Sequence, residues 1–302
     1  MLKKDSMKEY LPNCRIQELA NFSKSGVHVD MLRLDLLHPV VSGNKWFKLR
    51  YYLEEARATG KTRIATFGGA YSNHIVAAAF AAKEAGLHST GYIRGDQTTN
   101  PSPTLLQAME LGMKMAFVTR EAYQDKEKII ETSHSPETYW IQEGGYGETG
   151  AKGAATILDI PNIDAYTHIL CATGTGTMMA GLVKAAKAGQ EIIGVSVLKN
   201  HLSLETEVRA LLNVAENEKT FSFIHGYHFG GYAKHPQTLI GFMQAFWERW
   251  QIPTDIVYTS KLVFAVTDLI QKNHFSPESR LLIIHSGGLQ GNRSLPPNTF
   301  AF

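Results

Sequence analysis

The strongest constraint on this chain is a recurring couplet: a short β-rich run ending in glycine, then a stretch with helical spacing. Residues 64–67 run into Gly68-Gly69 and a helical pattern over 74–85. Residues 168–172 run into Thr173-Gly174-Thr175-Gly176-Thr177 and a helical pattern over 178–188. Residues 281–284 run into His285-Ser286-Gly287-Gly288. Further strands are expected over 27–34, 90–94, 115–118, 139–142 and 192–197. Such alternation predicts βαβ units, because a parallel neighbour is reached only by crossing over one face of the sheet. The expected class is therefore α/β with parallel or mostly parallel sheets.

The helical stretches carry their own punctuation. Behind Lys45, the residues Trp46, Leu49, Leu53 and Ala56 recur at helical spacing, and Gly60 closes the run. Ser72 stands at the cap position of the 74–85 helix, with Gly86 after it. Ser102-Pro103 opens a helix that Gly112 stops. Residues 120–137 read as helix plus loop, and residues 200–260 as mixed, with one clear helix over 239–250. The tail with Pro296-Pro297 reads as irregular. The three or four βα units from about 48 to 154 are expected to form a small domain, set into a larger one built from 1–47 and 155–302.

Bulk properties exclude several function classes. At 302 residues the chain is long enough for one large α/β unit or two domains. A net charge of +2 carries no basic field for nucleic acid or a membrane surface. The longest apolar run, 75–82, is far short of the ~20 residues a spanning helix needs. No signal-peptide core follows Met1-Leu2-Lys3-Lys4-Asp5. Cys14 and Cys171 are the only cysteines, which predicts a reducing, cytoplasmic compartment. The histidines show no metal-ligand spacing, and His225 and His228 read as structural. No Gly-x-Ser-x-Gly elbow is present.

The glycine-ended loops carry the chemistry. The loop 173–177 opens a helix with exposed N–H groups and threonine hydroxyls, which fits a phosphate. A dinucleotide fingerprint would need glycine where Met179 stands, and a P-loop would need glycine at Glu55. The anion therefore belongs to a smaller group. Gly68-Gly69-Ala70-Tyr71-Ser72-Asn73-His74 puts a hydroxyl, an amide and an imidazole at another helix start, which fits a carboxylate. Lys45, behind Ser42-Gly43-Asn44, would be a nucleophilic amine if buried beside a cofactor aldehyde.

Ser42-Gly43-Asn44-Lys45, Gly68-Gly69-x-x-Ser72-Asn73-His74, the 174–177 loop and Val257-Tyr258-Thr259-x-Lys261 occur in one order along the chain. Together they resemble the pyridoxal-phosphate enzymes of the 1-aminocyclopropane-1-carboxylate deaminase and D-cysteine desulfhydrase family, over about residues 10–291. The resemblance implies the tryptophan-synthase-β-like fold, fold type II, with two open twisted sheets of parallel type in a large and a small domain. It implies pyridoxal 5'-phosphate as cofactor, attached at Lys45, with Lys48 near the phosphate and Asn73 near the ring hydroxyl and phosphate. Ser72, Asn73 and His74 would receive the carboxylate of a small amino acid, and Tyr232 and Tyr258 would be the active-site tyrosines. The family's habit is a homodimer.

In that family the residue after the second tyrosine faces the pyridine nitrogen, as glutamate in the deaminases and threonine in the desulfhydrases. Thr259 therefore points to elimination from D-cysteine, since a leaving thiol takes its own electrons and needs a shallower sink. Ring opening of 1-aminocyclopropane-1-carboxylate, a β-replacing synthase, a racemase and a non-catalytic anion-binding relative are the alternatives. The chain departs from the family at Tyr146, at Met178 and beyond Gly288.

Overall fold

The computed structural model describes residues 14–22 and 26–302. The reading of the N-terminus and the start of the expected large domain lie outside the described residues.

The strands are β1 (Ile16–Glu18), β2 (His28–Arg33), β3 (Arg63–Gly68), β4 (His88–Arg94), β5 (Met113–Val118), β6 (Thr138–Ile141), β7 (His168–Thr173), β8 (Glu191–Ser196), β9 (Phe221–Ile224) and β10 (Arg280–His285). The helices are α1 (Asn44–Ala58), α2 (Asn73–Glu84), α3 (Pro103–Glu110), α4 (Lys126–Thr132), α5 (Glu148–Ala155), α6 (Thr177–Ala185), α7 (Leu204–Arg209), α8 (Val214–Asn217), α9 (Gln237–Trp250) and α10 (Thr259–Gln271). They form a six-stranded sheet ordered β1-β2-β10-β7-β8-β9 and a four-stranded sheet ordered β5-β4-β3-β6. Every pairing is parallel except β1 with β2.

Side-chain alternation gives the larger sheet two cores. Leu32, Ile169, Cys171, Ile192, Leu282 and Ile284 face one layer, while Met31, Leu170, Ile193, Val195, Leu281 and Ile283 face the other. Strands buried on both faces read as continuous apolar runs, which is why 168–172 and 281–284 stand out in the sequence. In the smaller sheet, Ile64, Ile93, Met113 and Ile141 pack with α2 and with Leu49, Leu53 and Ala56 of α1. Helix α5 packs with the larger sheet, where Ala151 and Ala154 are fully buried. Small residues make that approach possible: a Cβ on Gly181 would meet the Ala151 carbonyl at 2.6 Å.

Several elements escape the sequence pattern. Strands β1 and β9 are three- and four-residue edge strands with half-buried patterns. Helix α10 is rich in β-branched residues, Thr259, Val263, Val266, Thr267 and Ile270, which masks a helical period. Helix α6 stops at Ala185 rather than near 188, because Ala186 turns extended (φ −57°, ψ 138°).

The segment 42–44 is strapped to the end of β10. Asn44 N–H donates to the Ser286 carbonyl at 3.1 Å, and Gly288 N–H donates to Ser42 Oγ at 3.0 Å. Gly43 sits at φ 74°, ψ −152°, a conformation that side chains avoid. A Cβ there would collide with the Ser286 carbonyl. Gly43→Ala should cost about 3 kcal/mol or more from strain plus clash. Gly60→Ala has a similar φ of +68° but open space around it, and should cost about 1–2 kcal/mol. Urea midpoints at constant slope measure both.

Candidate active site

The carboxyl ends of parallel strands from both sheets open onto one cleft of about 1210 Å³. Ligands in open α/β sheets bind at this end, because the loops and helix N-termini there present free N–H groups. Lys45, Lys48, Ser72, Asn73, His74, Thr173, Gly174, Thr175, Gly176, Tyr232 and Tyr258 all line it. Two expected site residues do not. Thr177 is buried at the first position of α6, with its hydroxyl 3.2 Å from that of Thr175. Thr259 is buried behind the wall, and its hydroxyl donates to Asp255 at 2.7 Å. Thr259 Oγ1 also accepts from Asp255 N at 2.8 Å, which leaves one lone pair for a ring nitrogen.

Lys45 and Lys48 project from the first turn of α1 and are 9% and 3% exposed. Burial brings the Lys45 ammonium down to about 8. Lys48 is held well below the usual lysine range, by burial first and then by the charge of Lys45. Lys45 donates to Asn44 Oδ1 at 3.4 Å, and Lys48 to the Gly144 carbonyl at 3.5 Å. Neither is bonded to a carboxylate among the described residues. The second face of Asn44 is fixed by Met178, whose sulfur lies 3.2 Å from Asn44 Nδ2.

His74 is 2% exposed, and its tautomer follows from its partner. The Thr66 hydroxyl donates its one hydrogen to the Ile141 carbonyl at 2.8 Å, so it must accept from His74 Nε2, also at 2.8 Å. Nδ1 is then an unprotonated acceptor, buried and without a protein partner. Burial first, then Lys45 and Lys48, keep the ring neutral by pushing it well below the usual histidine value. His74 therefore offers no donor to a carboxylate, which corrects its expected role. Ser72 does: its side chain makes no capping bond to α2 and stays available in the cleft.

The 173–176 loop turns through Gly176 at φ +75°, where a Cβ would meet Val208 at 2.6 Å. Tyr258 packs its ring on Gly174, 3.2 Å from where a Cβ would be. Tyr232 meets Tyr258 edge-on at 6.4 Å. Burial, then Tyr232 and Asp255, raise the Tyr258 phenol well above its usual value, so it stays protonated.

Sequence reasoning misses Asp255. It is fully buried and accepts from Val257 N, Tyr258 N, Thr259 N and Thr259 Oγ1, which fixes the start of α10 and with it Tyr258. The signal that could have found it is an acid four residues before a threonine at a helix start. Lys261 pins the other tyrosine's loop by donating to the His228 and Gly231 carbonyls at 3.0 and 2.7 Å. Ser286 also lines the cleft, at the end of β10. No group of three or more metal-ligating side chains is gathered among the described residues. No described helix is long and apolar enough to cross a membrane.

Fold and site together define an α/β protein with two buried lysine amines beside glycine-rich helix starts, a setting suited to an enzyme that uses an anionic carbonyl cofactor. The family described as pyridoxal-phosphate dependent enzymes matches residues 12–287, and the chain belongs to it. A Thermotoga maritima protein named as a putative 1-aminocyclopropane-1-carboxylate deaminase is 29% identical, over 89% of this chain and 91% of its own. An Arabidopsis thaliana protein named as a bifunctional D-cysteine desulfhydrase and 1-aminocyclopropane-1-carboxylate deaminase is 26% identical, over 88% of this chain and 74% of its own. A solved 1-aminocyclopropane-1-carboxylate deaminase homologue superposes with a TM-score of 0.79 at 25% identity, covering 93% of this chain and 90% of that one. The fold is that of type II pyridoxal-phosphate enzymes.

The residues present fit pyridoxal 5'-phosphate. Two buried lysines with no carboxylate partner among the described residues, and a glycine turn at the start of α6, match a phosphate and an aldehyde. With Lys45 near 8, about a tenth of it is neutral at pH 7, against well under a thousandth for an ordinary lysine. Cofactor attachment to the apoprotein should therefore speed up as pH rises toward 8 and level off above it. Stopped-flow absorbance against pH measures this. A rate still climbing beyond pH 10 contradicts the lowered amine.

Proposed function

We propose that this enzyme is a lyase that eliminates a β-substituent from a small amino acid, with D-cysteine giving pyruvate, ammonia and sulfide. Bound pyridoxal phosphate supplies an electron sink for charge at the substrate's Cα. The protein supplies the rest. Lys48, the 173–176 backbone and the Thr175 hydroxyl would hold the phosphate, with Asn73 on the same lining. Ser72 and Asn73 orient the substrate carboxylate at the start of α2. The Lys45 amine, near 8, takes the proton from Cα. Tyr258, held neutral, and Tyr232 at the cleft lip steer the proton to the leaving group.

The observation that carries elimination is that, among the described residues, no carboxylate of the cleft lining stands at the end of β10 or the start of α10. Ser286 contributes a hydroxyl there, while the nearby Asp255 carboxylate is spent on four protein donors. A departing thiolate tolerates that environment, because it carries away its own electron pair. Ring opening of 1-aminocyclopropane-1-carboxylate is the second reading, favoured by the names of the relatives. A homodimer in the cytoplasm is the setting we propose.

An amino-acid panel read by 2-oxoacid formation separates the two. Pyruvate from D-cysteine should exceed 2-oxobutyrate from 1-aminocyclopropane-1-carboxylate in kcat/KM, and the reverse order favours the deaminase. Lys45→Ala should lower turnover by about 10³-fold or more. Activity retained in that variant removes Lys45 from the reaction.

A further inference from the structure

The proposed chemistry leaves one wall of the cleft unused. Strands β4 and β5 lie side by side, with Arg94 paired to Val118 in register, and Arg120 follows two residues later. Both arginines line the same cleft as Lys45. They stand at the carboxyl ends of parallel strands, where open α/β sheets bind ligands. The Arg94 guanidinium lies over the loop that carries Ser72 and Asn73: a Cβ on Gly69 would be 3.8 Å from its Nη2. It also approaches the Tyr123 ring, 5.8 Å from the centroid, and its charge acts on the Tyr232 phenol.

The charge there is not neutralised from within. The Lys126 ammonium on the same wall is paired with Glu143 at 3.2 Å. Glu207, the other carboxylate of the lining, is held by His201 at 3.0 Å and Ser203 at 2.7 Å. Arg94 and Arg120 have no ion pair among the described residues. A guanidinium without a carboxylate partner offers planar, paired donors to a tetrahedral or planar anion. The cleft, at about 1210 Å³, has to hold the cofactor as well as the substrate, and Arg94 and Arg120 line it together with Lys45.

We propose that Arg94 and Arg120 form a distal anion subsite, so that the preferred substrates are β-substituted alanines whose leaving group carries its own negative charge, such as a phosphate or a sulfonate. This rests on the elimination reading above. For O-phosphoserine the Cα–H and Cβ–O bonds break, the phosphate leaves with the Cβ–O electron pair, and a Cα–Cβ double bond forms. One water then replaces the nitrogen at Cα. The products are pyruvate, ammonium and inorganic phosphate, with no oxidant or reductant consumed. The arginines would hold the phosphate in the ground state and as it departs.

The test compares O-phosphoserine with β-chloroalanine, both enantiomers of each, on the cofactor-loaded enzyme. Wild type should prefer O-phosphoserine in kcat/KM. The Arg94→Ala/Arg120→Ala pair should lower the ratio of O-phosphoserine to β-chloroalanine kcat/KM by about 100-fold, mostly through KM, since each charged hydrogen bond is worth about tenfold or more. Added salt should raise KM for O-phosphoserine more than for β-chloroalanine, because both guanidiniums are exposed. Equal losses on both substrates would overturn the proposal and assign the arginines to the α-carboxylate or to structure. If β-chloroalanine is turned over and O-phosphoserine is not favoured, the subsite is absent. Failure on every amino acid would instead sink the elimination reading. Calorimetric titration with O-phosphoserine against serine then still reads the subsite, with tighter binding of O-phosphoserine expected only while the arginines are intact.

Discussion

Two lysine side chains one helical turn apart, buried together and bonded to no carboxylate among the described residues, are the constraint around which this molecule is arranged. Burying a charge without a partner is costly, and a second like charge beside it adds to the cost. The lowered Lys45 and Lys48 record that cost directly. A bound phosphate and aldehyde would relieve it, one by charge and one by covalent capture, on the function proposed here. Stability withheld from the empty protein becomes affinity for the cofactor.

The architecture follows from having to bring that pair to glycine-ended loops of both sheets. Gly43 and Gly287 lie back to back: a Cβ on Gly287 would stand 2.7 Å from the Gly43 Cα, so the start of α1 is held against the end of β10. Gly288 leaves space for the Asn73 side chain, and Gly144 sets the smaller sheet's loop 3.1 Å, measured from a Cβ, from Thr175 of the larger sheet. The cleft is a seam between strand ends, and the glycines are where the backbones must touch. Asp255 and Lys261 do the equivalent work for the tyrosines, one fixing Tyr258 through backbone donors and the other tying down the loop before Tyr232.

Much of this was legible in the sequence. The loops at 68–74 and 173–177 and the lysine at 45 stand at strand-to-helix junctions, where glycine, hydroxyl and amide residues have a local reason to cluster. The parallel sheets were legible because strands buried on both faces are continuously apolar. What stayed hidden depends on which atom bonds which. His74 reads as a donor until Thr66 is seen to spend its only hydrogen on Ile141. That Asp255 engages the Thr259 hydroxyl is likewise a contact between atoms that the residue pattern does not display. Ser286 and Arg94 belong to the cleft only through sheet order, which no local pattern encodes.

Among the described residues, three lysines are buried near this cleft, Lys45, Lys48 and Lys261, and the proposed chemistry requires the first to be the covalent one. Borohydride reduction of the cofactor-loaded protein, followed by peptide mapping with mass spectrometry, locates the attachment. The pyridoxyl group should be found on Lys45 alone. Finding it on Lys48 or Lys261, or finding no modified lysine in a protein that retains its colour, would contradict the assignment.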